Sequence, residues 1–486
     1  MNRRSFIQGG AFAAIAARHG LAQADAINPT PSTAQLAPFR WVPPSTFDPK
    51  APYLGLPMLN GVTDEIIYSP MPSHANTDEG GSGIYEDLMH GAFNHHPEIL
   101  TWHDRCIVTW TSHSRDENGP GGRMLARHGQ FRCGSDAIDW GKDSNLVELA
   151  PAAVPVRRRP LKNDTGQIYE IYPLARLTVI NDRIYLIGHL VANHGWTNSP
   201  LYRHPTDLQS GTKMRQVFSG ASSDLIPEAS WSNARDVAKG FSYDVWWELG
   251  LPFVQEWKFT GDTFAPSSPL YKMGEFHHEV RITPSITESA LAPKAPYANA
   301  IPFDRAPATM REDILHGKQL FVPEKPKYAP GTETLAADGK NSLAHHAEFI
   351  RPDGKWVVVR DNLVNPGHYY AALKDNPADV YPKAVLTNLY GAAMPACGEL
   401  PDGRPWVLCN SPNRYYMYLT LSRDGIVFDK TWMIFYDHGL NSGGHFQTGG
   451  PAYFKTATVD RNIWVAYSIS KQQIGVSRMP ISSLDE

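Results

Sequence analysis

Residues 397–408 read CGELPDGRPWVL, and this stretch sets the pattern of the whole chain. A first strand, Cys397 to Leu400, meets the turn Pro401-Asp-Gly403. A more apolar strand, Pro405 to Leu408, then leads away from the turn. An Asp-Gly turn between apolar strands is the strongest short-range signal of a β-hairpin. We therefore predict a tight antiparallel hairpin here.

Four further hairpins repeat this plan. Their turns are His103-Asp-Arg105, Asn181-Asp-Arg183, Pro352-Asp-Gly354 and Asp460-Arg-Asn462. Hairpins that recur with loops of varied length between them favour radial blades over a single sandwich. The sequence therefore predicts an all-β fold, namely a β-propeller with seven or alternatively six blades.

Composition agrees with a folded globule and excludes several classes. Of 486 residues, 42% are hydrophobic and 19% are charged, which excludes a disordered chain or a coiled coil. The net charge is -4, whereas nucleic-acid binding usually needs an excess of basic residues. We therefore expect no nucleic-acid partner. We predict one domain over residues 25–486, monomeric, with a Pro-rich insertion around 291–340.

The first segment is typical of an export signal. Residues 1–24 contain Arg3-Arg4, an Ala-rich stretch and a small-residue end at Ala22-Gln-Ala24, and they resemble a twin-arginine signal peptide. The apolar run is too short and interrupted for a membrane span, and no later stretch is long enough. We expect a mature protein that begins near Asp25 and works in the periplasm or outside a bacterial cell.

The cysteines leave two interpretations open. Cys106, Cys133, Cys397 and Cys409 allow three complete disulfide pairings in an oxidising compartment. Buried free thiols are the alternative. The chain contains no CxxC motif, so the sequence does not indicate a zinc ribbon.

Titratable side chains gather at the ends of two hairpins. His95-His96 precede one hairpin, and His113 follows it, so the hairpin should bring these imidazoles to one end of a blade. Such groups can transfer protons near neutral pH or bind a metal. His345-His346 and Arg360 flank a later hairpin in the same way, which makes Arg360 a candidate carboxylate clamp. Side chains alternate along a strand, so at most one His of each doublet should reach a site.

Three stretches carry a family resemblance. Asn94 to Arg123 resembles the opening blade of the sialidase-like polysaccharide lyases, the group that contains ulvan lyases and rhamnosyl-glucuronate lyases. Cys397 to Phe428, with a degenerate Asp-box at Ser422-Arg-Asp-Gly425, resembles a late blade, and Trp464 to Ile474 resembles the closing blade. Similar propellers include a rhamnosidase-type hydrolase.

The resemblance implies a secreted enzyme that cleaves a uronate-containing polysaccharide by β-elimination. That reaction needs a neutralised carboxylate, a base for the C5 proton and an acid for the departing O4. Arginine suits the first task because its planar guanidinium pairs with a carboxylate and keeps its charge. By resemblance, the catalytic candidates are His96, His113, His189 and Tyr185, with Tyr243 as a second tyrosine. The substrate-binding candidates are His95, Arg123, Arg203, Arg215 and Arg360.

Metal and alternative functions remain to be weighed. No cofactor is expected to be required, although the resemblance allows a structural zinc or calcium ion with His278, Cys397 and His445 as ligands. A propeller glycoside hydrolase of rhamnosidase or sialidase type is the main alternative, and it would need two carboxylic acids at the site. A propeller that binds carbohydrate without catalysis is the other alternative.

Overall fold

The computed structural model describes residues 37–70, 88–89, 91, 93–113, 122–132, 136–141, 143–152, 168–195, 245–273, 296–316, 328, 336–339, 343–362, 367–436 and 450–485. Several predicted features lie outside these residues: the export signal, Cys133, Arg203, Arg215, Tyr243, His278 and His445. For His189, only the backbone is described.

The described residues are mostly strands. The first group is β1 (Arg40–Trp41), β2 (Thr63–Tyr68), β3 (Phe93–Trp102), β4 (Arg105–His113), β5 (Arg123–Phe131), β6 (Ile138–Asp139), β7 (Leu146–Ala150), β8 (Ile168–Ile180), β9 (Arg183–Gly195), β10 (Val245–Thr260), β11 (Thr263–Pro266), β12 (Tyr271–Lys272) and β13 (Ile301–Pro302). The second is β14 (Leu343–Ile350), β15 (Trp356–Asn362), β16 (Gly367–Lys374), β17 (Val385–Glu399), β18 (Pro405–Asn410), β19 (Tyr416–Ser422), β20 (Val427–Tyr436), β21 (Pro451–Val459), β22 (Asn462–Ile469) and β23 (Gln473–Pro480).

Helix is scarce in the described part of the chain. The α-helix found there is α1 (Ala308–His316), which lies within the predicted Pro-rich insertion. Short 3-10 helices span Pro52–Gly55, Asp143–Asn145, Tyr297–Asn299, Phe303–Arg305 and Ile481–Asp485. The all-β class is therefore confirmed.

The chain forms two compact units. Unit one holds the described residues of Ile67–Pro323 together with Gln472–Ile474. Unit two holds those up to Ile66, and those of Glu324–Lys471 and Gly475–Glu486. The prediction of a single propeller domain stays a prediction.

Unit one contains two sheets, which are antiparallel except where β12 pairs with β13. The first pairs β3, β4 and β5 in sequence order, and both β6 and β7 pair with β5. The second runs β13-β12-β10-β9-β8, with β11 on β10. Apolar side chains such as Ile107, Leu186 and Phe253 are buried together in one core. Helix α1 packs Met310 and Ile314 into a neighbouring cluster.

Unit two contains an eight-stranded sheet in the order β1-β20-β19-β18-β17-β16-β15-β14. Strand β17 pairs with a different neighbour in each half. Residues Val385 to Gly391 pair with β16, and residues Ala392 to Glu399 pair with β18. A left-handed residue, Ala393 with φ 62°, marks the change of partner. A separate sheet runs β2-β23-β22-β21, so an early strand completes the last sheet.

All five predicted hairpins are confirmed by their registers. Trp102 pairs with Arg105, and Ile180 with Arg183. The three others close at Ile350–Trp356, Glu399–Pro405 and Val459–Asn462. In unit two these turns lie at one edge of the sheets, which we call the turn edge. We call the opposite edge, where β14 and β21 begin and β15 and β18 end, the site edge.

The predicted Asp-box forms the turn between β19 and β20. Asp424 Oδ1 accepts the backbone N–H groups of Ile426 and Val427 at 2.8 and 2.9 Å, and the Ser422 hydroxyl donates to the same oxygen at 3.0 Å. Partial burial opposes ionisation, but these donors hold the pKa of Asp424 below its usual value. Phe428 then enters the core with no exposed surface.

Candidate active site

The site edge of unit two carries a histidine bound to a buried carboxylate. Asp361, at the end of β15, accepts the backbone N–H of His345 at 2.7 Å and its Nδ1–H at 2.9 Å. The two side chains are 12% and 2% exposed. Burial by itself would raise the pKa of Asp361, but His345 and the nearby Arg414 hold it below its usual value. The carboxylate therefore stays ionised and fixes the proton of His345 on Nδ1.

A buried tyrosine and two cations complete this group. The ring of Tyr453, on β21, meets the ring of His345 edge to face with centroids 5.6 Å apart. Arg414 Cζ lies 6.0 Å from the centroid of Tyr453, and Lys471 Nζ lies 5.6 Å from it. We call His345, Asp361, Arg414, Tyr453 and Lys471 the edge cluster. Arg414 and Lys471 place two positive charges beside the ring of Tyr453.

Gly450 holds the backbones that carry the two cations. A Cβ at Gly450, which has φ 81°, would lie 1.6 Å from the carbonyl oxygen of Arg414. The Gly450 carbonyl in turn accepts the N–H of Ser470, the neighbour of Lys471, at 2.9 Å. Only glycine permits this close approach.

A second polar group lies on the other face of β14 and β15. Directly paired residues share a face, and His346 pairs with Arg360 while Glu348 pairs with Val358. Arg360 Cζ lies 4.3 Å from the ring centroid of Tyr328. Arg360, predicted as a carboxylate clamp, therefore lies across the sheet from Asp361. Burial raises the pKa of Glu348, although the Tyr381 hydroxyl and Lys374 oppose the shift.

The predicted histidines of unit one do come together. His95 and His113 lie on one face of the β3–β4 hairpin, and both rings contact Phe93, with centroids at 5.2 and 5.8 Å. The ring of His96 lies 3.8 Å from that of His95. His96 is left-handed, with φ 50°, at a bulge between His95 and Glu98. His95 and His113 are both buried, whereas His96 is half-buried.

Arg123 is buried and already engaged. Its guanidinium pairs with Glu148 at 3.3 Å and donates to the Leu88 carbonyl at 3.4 Å. Its charge is thus balanced within unit one.

Tyr185 does not lie with these histidines, and its assignment as a catalytic residue stays a prediction. Its hydroxyl donates to the Asp313 carboxylate of α1 at 2.6 Å, and the residue has no exposed surface. It follows the β8–β9 turn, whose Asp182 accepts the indole N–H of Trp102 at 3.0 Å. Trp102 and the His95–His113 pair are at opposite ends of the β3–β4 hairpin. Tyr185 therefore lies near the Trp102 end, away from these histidines.

The described cysteines are free thiols. Cys106 and Cys409 are buried, and Cys397 is half-buried. Burial raises the pKa of Cys397 well above its usual value. Among the described residues, no three His, Cys, Asp or Glu side chains form a metal-binding group. The predicted site with His278 and His445 stays a prediction.

The edge cluster contains residues that the sequence reasoning did not select. Tyr453 lies on β21, whereas Arg414 and Lys471 lie in two separate turns, so no spacing rule joins them. One local signal was present: Gly449-Gly450 directly before a strand indicates a close backbone approach.

No described helix is long and apolar enough to cross a membrane.

Comparisons with known proteins identify the fold. No protein-family model matches the chain, and no curated protein matches its sequence. A solved sialidase superposes with a TM-score of 0.54 at 14% identity and covers 91% of this chain. The chain spans only 35% of the length of that sialidase.

Two other solved structures superpose less closely. Trypanosoma rangeli sialidase in complex with sialic acid has a TM-score of 0.40 at 8% identity, with 88% of this chain and 60% of that one covered. Penicillium chrysogenum α-L-arabinanase complexed with arabinobiose has a TM-score of 0.34 at 8% identity, with 86% and 98% covered. The first superposition supports a sialidase-like β-propeller fold, as predicted. The lyase type and the blade count stay predictions.

Proposed function

We propose that this chain is a carbohydrate-active β-propeller that cleaves a uronate-containing polysaccharide by β-elimination. The observation that supports this best is the edge cluster, where an imidazole and two cations lie around the ring of a tyrosine. These are the groups that the reaction requires, and a hydrolase has no need of the same combination.

Each member of the cluster has a distinct task in the proposed reaction. Arg414 and Lys471 neutralise the uronate carboxylate, which makes the C5 proton acidic enough to remove. Nε2 of His345 takes that proton, because Nδ1–H is already bound to Asp361. The electron pair of the C5–H bond forms the C4=C5 double bond as the C4–O4 bond breaks. The Tyr453 hydroxyl then gives its proton to the departing O4.

Asp361 is a positioning residue in this scheme. It orients His345 and sets its tautomer, and its negative charge stabilises the imidazolium that forms after proton transfer. Both of its carboxylate oxygens are taken up by His345, so it acts on the sugar only through that ring. The predicted histidines of unit one are a separate candidate site. Among them we favour His96, because its ring is half-buried whereas those of His95 and His113 are buried.

One observation favours hydrolysis as a second candidate. Glu348 and Asp361 are carboxyl groups whose pKa values move in opposite directions, which is the pattern of an acid and a base in glycosidases. The sheet register weighs against it. Glu348 shares the face of Arg360, and Asp361 points to the opposite face, so the two cannot flank one glycosidic bond.

Ultraviolet absorbance of the products tests the proposal. The purified protein is incubated with a panel of uronate polysaccharides. Elimination produces a conjugated, unsaturated uronate that absorbs ultraviolet light, whereas hydrolysis yields reducing ends alone. We expect absorbance to rise with wild type and to be lost with His345→Ala. His103→Ala is the matched control, because His103 also pairs with an aspartate, Asp182 at 2.8 Å, but at an exposed turn. Reducing ends without absorbance would establish hydrolysis instead.

A further inference from the structure

An exposed tyrosine of unit two is displayed by an unusual turn. Tyr53, in the 3-10 turn Pro52–Gly55, is 42% exposed. Its φ and ψ of 56° and 23° are left-handed, and so are those of Leu54 at 58° and 16°. Two successive left-handed residues other than glycine are rare, because the Cβ atom crowds the backbone.

The turn is held firmly despite this conformation. Leu54 is 1% exposed and anchors it in the core, and the Leu54 carbonyl accepts the N–H of Asp48 at 3.0 Å. A Cβ at Gly55 would lie 2.0 Å from the carbonyl oxygen of Thr46, so the chain is packed closely there. Backbone strain of this kind persists where the surroundings enforce it, and it concentrates at ligand sites. Here its result is to present a large aromatic ring to solvent.

Tyr53 contacts another tyrosine, Tyr416, which is half-buried. The ring of Tyr416 lies edge to face with that of Tyr53, with centroids 6.3 Å apart. Together the two rings form an aromatic surface, which we call the tyrosine platform. Tyr416 begins β19, so the platform lies at the site edge of the sheet.

The platform and the edge cluster share one rigid turn. The Ser411 N–H donates to the Tyr416 carbonyl at 3.0 Å, and the Tyr416 N–H donates to the Ser411 hydroxyl at 3.1 Å. The Arg414 N–H donates to the Ser411 carbonyl at 2.8 Å. This turn therefore sends Arg414 towards Tyr453 and, two residues later, Tyr416 towards Tyr53.

We propose that the tyrosine platform is a second carbohydrate-binding site, which stacks a pyranose ring of a polysaccharide chain on the exposed ring of Tyr53, with Tyr416 edge to face beside it. The C–H face of a sugar packs on an aromatic ring, and this contact needs no charge on the sugar. Its interpretation as a subsite for a sugar that flanks the cleaved uronate rests on the proposed function. The stacking itself does not.

Affinity electrophoresis tests the platform without a known substrate. The purified full chain is run in native gels that contain members of a panel of soluble neutral and acidic polysaccharides. We expect wild type to be retarded by at least one of them, and the double variant Tyr53→Ala/Tyr416→Ala to bind about tenfold more weakly, because stacking is lost. Tyr53→Phe/Tyr416→Phe should bind like wild type, since the rings remain. Ile350→Ala, an exposed apolar residue at the turn edge, is the matched control.

The outcomes separate this inference from the proposed function. Retardation that the alanine double variant retains in full, or no retardation of wild type in any gel, overturns the platform. Retardation that depends on the tyrosines supports it, even if no uronate glycan yields the absorbing product, in which case only the lyase proposal fails. Circular dichroism spectra like those of wild type are required of each variant. If the double alanine variant does not fold, Tyr53→Ala alone decides the question, because Tyr53 is exposed and its loss should still weaken binding.

Discussion

Replacement of Asp361 by asparagine is the sharpest test of the edge cluster. In wild type both carboxylate oxygens accept from His345, the backbone N–H at 2.7 Å and Nδ1–H at 2.9 Å. The asparagine oxygen can still accept one of these donors, but its NH₂ group can only donate. When that oxygen accepts the backbone N–H, the NH₂ group faces Nδ1, and His345 then carries its proton on Nε2, the atom that the proposed reaction needs as a base.

The expected loss follows from these contacts. Removal of an oriented general base costs roughly 100- to 10,000-fold in kcat. The loss of a charge-assisted hydrogen bond between groups shielded from water costs about 1.5–3 kcal/mol of unfolding free energy. The pKa of Asp361 is lowered in the folded state, so its contribution to stability is present above the usual aspartate pKa and is lost as the pH falls through the folded value.

Two measurements on one variant check this reasoning. Rates of formation of the unsaturated product give kcat, and urea unfolding at a series of pH values gives stability. We expect Asp361→Asn to be slower and less stable than wild type at pH 7, with the stability difference shrinking in acid. Asp182→Asn alters the exposed His103–Asp182 pair and should change neither quantity. A kcat within threefold of wild type would refute the assignment of His345 as base.

Three further variants probe the surroundings of the site and the fold. Gly450→Ala should reduce activity and cost at least about 1–2 kcal/mol, because a left-handed alanine is strained and its Cβ meets the Arg414 carbonyl; kcat and thermal unfolding measure both effects. Glu348→Gln should keep or raise the melting temperature at pH 7 and lose that advantage in acid, because a raised pKa means that stability is lost as the pH rises through the folded value. Asp313→Ala should lower the unfolding free energy by about 1–3 kcal/mol, because it leaves Tyr185 and Arg183 without their acceptor.

The hairpins could be predicted from the sequence because their causes are local. In Pro352-Asp-Gly354 and Pro401-Asp-Gly403, the glycine takes φ of 82° and 85°, and the apolar residues on either side alternate over a few positions. The same local logic predicted the Asp-box at Ser422. Each of these features depends on residues that are neighbours in the chain, so no knowledge of the wider fold was needed.

The composition of the site could not be predicted in the same way. Arg360 and Asp361 are adjacent in sequence, yet their side chains point to opposite faces, and only the register of β14 against β15 shows which of them joins His345. Tyr185 is a catalytic candidate by resemblance alone, and its partner Asp313 comes from a helix 128 residues further along the chain. Contacts of this range follow from tertiary packing and have no local signal.

Left-handed backbone conformation is a local feature that also occurs at the long-range contacts of the site. The left-handed residues other than glycine, within the described part of the chain, are of two kinds. Some lie in hairpin turns at the turn edge or its counterpart in unit one: His103, Asn181, Asp182 and Asp460. The others lie elsewhere: Tyr53, Leu54, His96, Ala393, Arg414, Tyr453, Ser470 and Lys471.

The second kind is the one that local preference does not explain. The turn between β22 and β23 holds Ser470 and Lys471 at φ 55° and 56°, a geometry in which Asn-Gly is the favoured pair. A lysine there costs about 1–2 kcal/mol relative to glycine. Arg414 and Tyr453 bear the same kind of cost, and all three belong to the edge cluster. Sequences keep such conflicts between local preference and fold mainly at functional sites, so the strain independently supports placing the chemistry at this edge.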